Sequence, residues 1–151
     1  MNQNLQEPVG RIPHQIRKLV SIYRNAVRRF GITENEFLVW YTLIIIGGEH
    51  SQQDICGTWL LSKQTVNTII QNMVQKGFAY LELVPGSRNL KKIHLTQRGK
   101  QYGEDMMIPI SDAENRTISR IAEKDWEFCT TVLNHYIRIF EEEIYGAENK
   151  E

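Results

Sequence analysis

Apolar residues recur at helical spacing between Ser62 and Gly77, and this stretch anchors the predictions for the rest of the chain. Steps of three and four residues predict one buried helix face, made of Val66, Ile69, Ile70 and Met73. Ser62 suits a helix N-cap, and Gly77 suits the left-handed position just past a helix end. The opposite face carries amides and hydroxyls but no acid, and its residues are Gln64, Asn67, Thr68 and Gln71. Such a face is able to meet base edges in a DNA major groove.

Two capping boxes, Thr33 with Glu36 and Ser51 with Asp54, predict two further helices upstream. The first helix should end at the double glycine of residues 47–48. The second is short, and its expected inner face consists of Ile55, Cys56 and Trp59. A tight turn then leads into the polar-faced helix, so the pattern predicts a helix-turn-helix.

A hairpin is predicted after the helix-turn-helix. Residues 78–84 are rich in aromatic and aliphatic side chains and predict a strand, and residues 90–95 predict the returning strand. The residues between them, Pro85-Gly86-Ser87, have turn chemistry. The tip is polar and basic, with Arg88, Asn89, Lys91 and Lys92. The order of elements is that of a winged helix, and Thr96 should cap the helix that follows.

Two long amphipathic helices should flank the winged segment. The first is predicted over residues 13–30, with Pro13 in its first turn and a loose lead-in over residues 1–10. The last is predicted over residues 123–145, and Pro109 should kink or split the helix before it. The apolar stripe of the last helix consists of Trp126, Cys129, Leu133, Tyr136, Ile137, Phe140 and Ile144. A small winged-helix core needs neither terminal stripe. We therefore expect a homodimer that presents two recognition helices to a symmetric DNA site.

The predicted fold class is mainly α with a small β-hairpin wing. Residues 31–99 are the predicted winged helix-turn-helix DNA-binding domain, and residues 1–30 and 100–151 are the predicted helical dimerisation region. The net charge of the chain is zero, but residues 50–100 carry seven basic and two acidic side chains. Residues 101–151 carry five basic and twelve acidic ones. A basic middle segment suits a surface that faces phosphate.

Several classes of function are not indicated. The sequence has no phosphate-cradling glycine loop, no Gly-x-Ser-x-Gly motif and no histidine pair at metal-ligand spacing. We therefore expect no enzyme activity, no cofactor and no metal. No apolar run approaches the roughly 20 residues that a bilayer span needs, and the start lacks the apolar core of a signal peptide. A cytoplasmic protein without a membrane partner is the expectation, with Cys56 and Cys129 as buried, reduced thiols.

Three short motifs carry a resemblance to a known family. They are Leu61-Ser62-Lys63-Gln64-Thr65-Val66, Lys76-Gly77-Phe78 and, after the wing, Leu95-Thr96-Gln97-Arg98-Gly99. In order and spacing the segment resembles the multiple-antibiotic-resistance regulator (MarR) family of winged helix-turn-helix proteins. The resemblance implies a homodimeric transcriptional regulator, expected to be a repressor, that binds a palindromic operator in double-stranded DNA. Relatives also bind small, often anionic aromatic effectors, so a site for such an effector is a further expectation.

The resemblance also assigns a role to the wing. Arg88 matches the wing-tip arginine that family members place in the minor groove of DNA. Four positions depart from the family pattern, and they bear on base preference rather than on fold. Ser87 stands where an acid is common, and Asn89 where a second arginine is common. Leu60 stands where the turn often has glycine, and Thr68 where the recognition helix often has a basic residue.

The candidate DNA-binding residues lie on the recognition helix and the wing: Ser62, Lys63, Gln64, Thr65, Asn67, Thr68, Gln71, Arg88, Asn89, Lys91 and Lys92. The lysines are expected to contact phosphate, because a flexible ammonium group is a point charge without a planar pattern. Two alternatives stay open. The polar face and Arg88 could be ordinary solvated surface, or the winged helix could be a protein-interaction module without specific DNA binding.

Overall fold

In a computed structural model of the chain, residues 8–146 are described and most of them are helical. Along them, the elements follow in the order α1 (Pro8–Val27), α2 (Glu34–Tyr41), β1 (His50–Ser51), α3 (Gln52–Trp59), α4 (Lys63–Gln75), β2 (Ala79–Leu83), β3 (Lys91–Leu95), α5 (Gln97–Ile118) and α6 (Glu123–Tyr145). A 3-10 turn, Arg28–Phe30, follows α1, and a π-helical turn, Thr42–Ile46, continues α2. The predicted fold class, mainly α with a small wing, is confirmed.

The wing is an antiparallel hairpin of β2 and β3, as predicted, and β1 adds a third strand on the other side of β3. Leu81 of β2 and His50 of β1 both lie opposite Ile93. Ile93 is buried, while Lys92 and His94 on either side of it are partly exposed, so the hairpin turns one face to the core. The sequence pattern does not predict β1, because two residues are too few to show an alternation.

The helix starts predicted from capping residues at Thr33, Ser51 and Ser62 are confirmed. At both capping boxes, Thr33 with Glu36 and Ser51 with Asp54, each side chain binds the backbone N–H of the other residue. Ser62 caps α4 by accepting a hydrogen bond from the backbone of the third residue in the helix. These bonds satisfy N–H groups that a helix end would otherwise leave without a partner.

The core of the first part of the chain forms under α4. The predicted inner face of that helix is confirmed, since each of its four residues is at most 6% exposed: Val66, Ile69, Ile70 and Met73. They pack in one cluster with Phe37 and Trp40 of α2, Ile93 of the wing, and Met106 and Met107 of α5. Burial of this face leaves the opposite face of α4 in solvent.

The end of α4 and the start of α5 meet in a close backbone contact, which we call the α4–α5 junction. Gly77 follows α4 with φ +70°, the predicted left-handed stop. The N–H of Thr96 donates to the carbonyl of Phe78 at 3.0 Å, and the Thr96 hydroxyl donates to the carbonyl of Gly77 at 2.7 Å. The same hydroxyl accepts the N–H of Gly99 at 3.0 Å, so Thr96 caps α5 as predicted. A Cβ on Gly99 would lie 1.8 Å from the Phe78 oxygen, so only glycine fits there.

One prediction about prolines is wrong, and a second is wrong where it allowed a split helix. The first helix begins at Pro8, so residues 8–10 are helical and Pro13 lies inside α1, not in its first turn. The predicted lead-in over residues 1–7 lies outside the described residues. Pro109 lies inside α5, which continues as one helix to Ile118 and is not split. A proline removes a single N–H donor, and in long helices the other backbone bonds keep the helix together.

The described chain divides into two compact units, one ending at Ser111 and the other beginning at Asp112. The second unit contains α6, whose limits are those predicted. Most of the apolar stripe of α6 is exposed in the single chain, with Phe140 53% exposed. Cys129 lies on this stripe and is exposed as well, so its predicted burial is wrong for the single chain. Cys56 is half-buried.

Substitution of Gly99 tests the α4–α5 junction. Gly99→Ala should destabilise the protein by at least about 2 kcal/mol, because the new Cβ would collide with backbone atoms. Gly57→Ala is the matched control, since a Cβ at that helical position meets nothing within 4 Å. The control should gain roughly 0.5–1 kcal/mol from helix propensity. Urea unfolding followed by circular dichroism measures both values, and equal stability of Gly99→Ala and the parent protein would contradict the contact.

Candidate nucleic-acid interface

The exposed face of α4 is polar and contains no acid. Its five candidate residues are all exposed: Lys63, Gln64, Asn67, Thr68 and Gln71. Four of them, Gln64, Asn67, Thr68 and Gln71, lie on the side away from the buried apolar face, so packing of the core fixes the direction in which they point. Amide and hydroxyl side chains presented by a rigid helix are suited to hydrogen bonds with base edges.

Ser62 and Thr65 use their hydroxyls on the helix itself. The Ser62 hydroxyl oxygen accepts the N–H of Thr65 at 3.0 Å and lies 2.8 Å from the Thr65 hydroxyl oxygen. Ser62 is exposed and Thr65 is half-buried. Both candidate residues therefore set the start of α4, and with it the position of the neighbouring Gln64.

The turn before α4 has a left-handed backbone at Leu60. Its φ is +54°, and within residues 8–146 no other non-glycine residue has a positive φ. The side chain is 93% exposed, so leucine contributes no packing that offsets the strain. The backbone here is the one that glycine adopts readily, and α3 and α4 nevertheless meet in the expected helix-turn-helix.

Ser87 stabilises the turn at the tip of the wing. Its hydroxyl oxygen lies 3.0 Å from the carbonyl of Val84 and accepts the N–H of Leu90 at 3.2 Å. Arg88 and Asn89 follow and are exposed. Arg88 makes no hydrogen bond or ion pair within the described part of the chain. The tip is thus ordered by a serine, and the guanidinium group is available to an outside partner.

A cleft of about 570 Å³ lies between α3, α4 and the wing. Five of the eleven candidate residues line it together, and these are Lys63, Asn67, Gln71, Asn89 and Lys91. The rest of the lining consists of Ser51, Gln52, Gln53, Cys56, Leu81 and Leu90. The lining contains two lysines and no acid, so the cleft has the electrostatic character that a phosphate backbone needs.

The structure adds two residues and leaves six candidates outside the lining. Gln52 and Gln53 line the cleft although the sequence pattern did not single them out. The sequence could have indicated these two residues, because they are polar and directly follow the Ser51 cap at the start of α3. The candidates outside the lining are Ser62, Gln64, Thr65, Thr68, Arg88 and Lys92.

Lys92 points to the start of α3. Its ammonium nitrogen lies 3.7 Å from a carboxylate oxygen of Asp54 and 3.4 Å from the carbonyl oxygen of Glu49. Its side chain is 25% exposed, whereas the neighbouring Lys91 is exposed to solvent. Lys92 therefore has partners inside the protein, whereas Arg88 has none among the described residues.

Asp54 is held in its charged form. The backbone N–H of Ser51 donates to its carboxylate at 2.7 Å and the Ser51 hydroxyl donates at 2.8 Å. These two bonds, helped by the charge of Lys92, lower the pKa of Asp54 below its ordinary value of 3.8. The capping box and the lysine of the wing thus share one carboxylate.

Residues 8–146 contain neither a membrane-spanning helix nor a cluster of metal ligands. None of their helices combines the length and the apolar character needed to cross a bilayer. Within the same range, no three His, Cys, Asp or Glu side chains come together as a metal ion would require.

Comparison with known proteins identifies the fold. The model of the MarR family matches residues 30–88, the segment that contains α2, α3, α4 and the first strand of the hairpin. A comparison with curated protein sequences finds no match. Residues 30–88 therefore have the sequence pattern of MarR family proteins.

Solved structures extend the likeness to nearly the whole chain. A MarR family regulator from Neisseria meningitidis is similar with a TM-score of 0.76 and 23% identity, covering 99% of this chain and 100% of that one. MepR of S. aureus, in complex with DNA, has a TM-score of 0.64 and 19% identity, covering 85% and 94%. S. aureus MarR, in complex with salicylate and kanamycin, has a TM-score of 0.66 and 14% identity, covering 91% and 93%. At these identities the likeness shows the fold.

The pH dependence of stability tests the assignment of Asp54. Because its folded pKa lies below 3.8, its stabilising contribution should be complete above that pH and lost as the pH falls through the folded value. Asp54→Ala should cost up to about 1 kcal/mol at neutral pH, because it removes the half of the capping box that accepts the N–H of Ser51. Urea unfolding across the acid range should show the difference from the parent protein closing only below pH 3.8. Closure well above that pH would contradict the assignment. Asp54→Asn keeps an oxygen acceptor for Ser51 and should lose less.

Proposed function

We propose that this chain, which has the fold of MarR family DNA-binding regulators, is a homodimeric, cytoplasmic transcriptional repressor that reads a palindromic operator. One observation carries the proposal. The acid-free face of α4 and the basic side of the wing line a common cleft with Lys63, Asn67, Gln71, Asn89 and Lys91. Hydrogen-bonding side chains beside positive charge are the two parts of a sequence-reading DNA surface.

The candidate residues divide by chemistry. Gln64, Asn67, Thr68 and Gln71 would read base edges from the major groove. Lys63 and Lys91, both exposed, would neutralise phosphates. Arg88, at the end of an ordered tip and without a hydrogen bond or ion pair to residues 8–146, would enter the minor groove, where negative potential is strong. Asn89 would add a polar contact from the wing, while Ser62, Thr65 and Lys92, whose polar groups have partners inside the protein, would support this surface.

Dimerisation would come from the helical region of residues 1–30 and 100–151. Exposed apolar side chains on α1 and α6 support this proposal. Ile16, Leu19 and Ile22 of α1 are each about half exposed or more, and so are Phe140 and Ile144 on the stripe of α6. Apolar stripes of this kind are usually covered in an assembly, and a two-fold dimer would present two copies of α4 to successive major grooves.

Release by a small effector is the last part of the proposal. The neighbour from S. aureus that is in complex with salicylate and kanamycin supports it. A ligand would release DNA only by binding better to a dimer in which the spacing of the two α4 helices no longer fits the grooves.

The rival hypothesis is a protein-interaction module, in which the polar face of α4 contacts another protein. It predicts weak or absent DNA binding. Selection of bound sequences from a random duplex pool, near physiological salt, decides between them. An enriched palindrome with half-sites about 10 base pairs apart supports the proposal. Without enrichment, and with binding that disappears as salt rises, the interaction module becomes the better hypothesis.

Single substitutions separate base reading from phosphate contact. Gln64→Ala and Thr68→Ala should each cost about 1–3 kcal/mol of discrimination between the selected operator and random duplex. Lys91→Ala should weaken both DNAs alike and reduce the slope of log K against log salt by about 0.9 for each phosphate that the lysine neutralises. Lys100→Ala is the control, an exposed lysine outside the cleft lining, and should change neither quantity. Equal losses on both DNAs for Gln64→Ala and Thr68→Ala would remove their base-reading role.

A charge on the α6 stripe tests the dimer. Phe140→Glu should convert the dimer to a monomer in sedimentation velocity, because a carboxylate cannot be buried there without a partner. Thr131→Glu adds the same charge to an exposed position on the opposite face of α6 and should leave the dimer intact. A Phe140→Glu protein that is still dimeric at the same concentration would place the interface elsewhere.

A further inference from the structure

Lys92 occupies a central position between two strands. In the register of the sheet it lies opposite Ser51 of β1 on one side and Glu82 of β2 on the other. Its ammonium group lies on the β1 side, where it contacts the Asp54 carboxylate and donates to the carbonyl of Glu49. The contacts therefore join the middle of the wing to the segment that starts α3.

The Asp54 carboxylate, which contacts Lys92, is itself held in place by other hydrogen bonds. The Asp54 carboxylate accepts both the N–H and the hydroxyl of Ser51, which is 3% exposed. Glu82 is closer to Lys92 in register, yet its carboxylate pairs with His94 at 3.2 Å. Lys92 thus contacts a carboxylate that the start of α3 already holds in place.

We infer that Lys92 is a positioning residue for DNA binding: through Asp54 it fixes the wing against α3, and so sets the shape of the cleft between the wing and α4. The inference rests on the proposed function of that cleft. It assigns to Lys92 an effect on affinity without a phosphate contact, and it adds Asp54, an acid, to the residues that support DNA binding.

The short β1 strand explains why such a contact matters. Only two residue pairs join β1 to β3, so little backbone pairing attaches the hairpin to the start of α3. Without the ion pair between Lys92 and Asp54, the wing would occupy more positions relative to α3. Apparent affinity falls in proportion to the fraction of protein that has the binding-competent shape. For a partly exposed ion pair, we expect an effect of about two- to fivefold per half-site.

The two possible roles of Lys92 make opposite predictions for Asp54. If Lys92 touched phosphate, Asp54 would compete with DNA for the ammonium group, and Asp54→Asn would tighten binding. If Lys92 positions the wing, Asp54→Asn weakens binding although it removes a negative charge from the protein. The amide oxygen of the new side chain still accepts the N–H of Ser51, so the cap of α3 is kept.

The experiment measures operator affinity across a range of salt concentrations for five variants. They are Lys92→Ala, Lys92→Arg, Asp54→Asn, the double variant Lys92→Ala with Asp54→Asn, and the control Glu82→Gln. Glu82 is a carboxylate opposite Lys92 in the sheet that pairs with His94 instead. If the control also weakened binding, loss of any nearby acid would account for the result and the inference would fail.

We expect Lys92→Ala and Asp54→Asn each to weaken binding about two- to fivefold per half-site, and Lys92→Ala to leave the salt slope unchanged. The double variant should lose no more than either single one, and Lys92→Arg should bind as the parent does. Tighter binding by Asp54→Asn would overturn the inference. A salt slope that Lys92→Ala reduces by about 0.9, the value for one phosphate, would do the same.

A measurement without DNA keeps this inference separate from the proposed function. Amide hydrogen exchange in the free protein should be faster at residues 50–51 and 91–93 in Lys92→Ala and Asp54→Asn, and unchanged in Lys92→Arg. If no variant and no parent protein binds DNA, the proposed function fails, and exchange still decides whether Lys92 fixes the wing. Unchanged exchange in Lys92→Ala would overturn the positioning role.

Discussion

The α4–α5 junction is the constraint on which the rest of the structure depends. The carbonyl of Phe78 accepts the N–H of Thr96, and Gly99 leaves the space that a Cβ would fill. The Phe78 ring stacks on Tyr102 with 4.6 Å between centroids and meets the edge of Trp40. Because this contact joins the end of α4, the base of the wing and the start of α5, it fixes the buried side of α4. The polar side follows from it, since a helix that is anchored on one face has no freedom to rotate the other.

The candidate interface owes its character to local charge and not to the charge of the chain. A chain of zero net charge still has a cleft lined by two lysines and no acid. Two of the nearby acids have partners in the fold. Asp54 belongs to the cap of α3 and contacts Lys92, and Glu82 pairs with His94. Carboxylates that are engaged in this way repel a phosphate backbone less than free ones would. The same engagement orders the strands that carry the basic residues.

Local chemistry explains what could be predicted from the sequence. Caps at Thr33, Ser51 and Ser62 depend on residues three positions apart, and the buried face of α4 depends on a period of about 3.6, so both are visible in the order of residues. The features that the sequence did not reveal depend on distant contacts. β1 forms because His50 and Ser51 pair with β3, which lies more than forty residues further along the chain. The ion pair between Lys92 and Asp54 joins residues at a similar separation in sequence. The start of α1 at Pro8 was not predicted, for a different reason. Pro13 is predicted in the first turn of the helix, and the sequence pattern around a proline inside a long helix is similar to the pattern around a proline at its start.

The exposed stripe of α6 has a consequence for how this protein would behave in a cell. If a second copy covers Phe140 and its neighbours, folding and association are linked by mass action, and measured stability rises with protein concentration. A regulator present in few copies would then exist partly as isolated chains, which are less stable and more exposed to proteases. A lower concentration of the protein would therefore shorten the lifetime of each molecule. Dilution alone would therefore lower the fraction of chains in the proposed dimer.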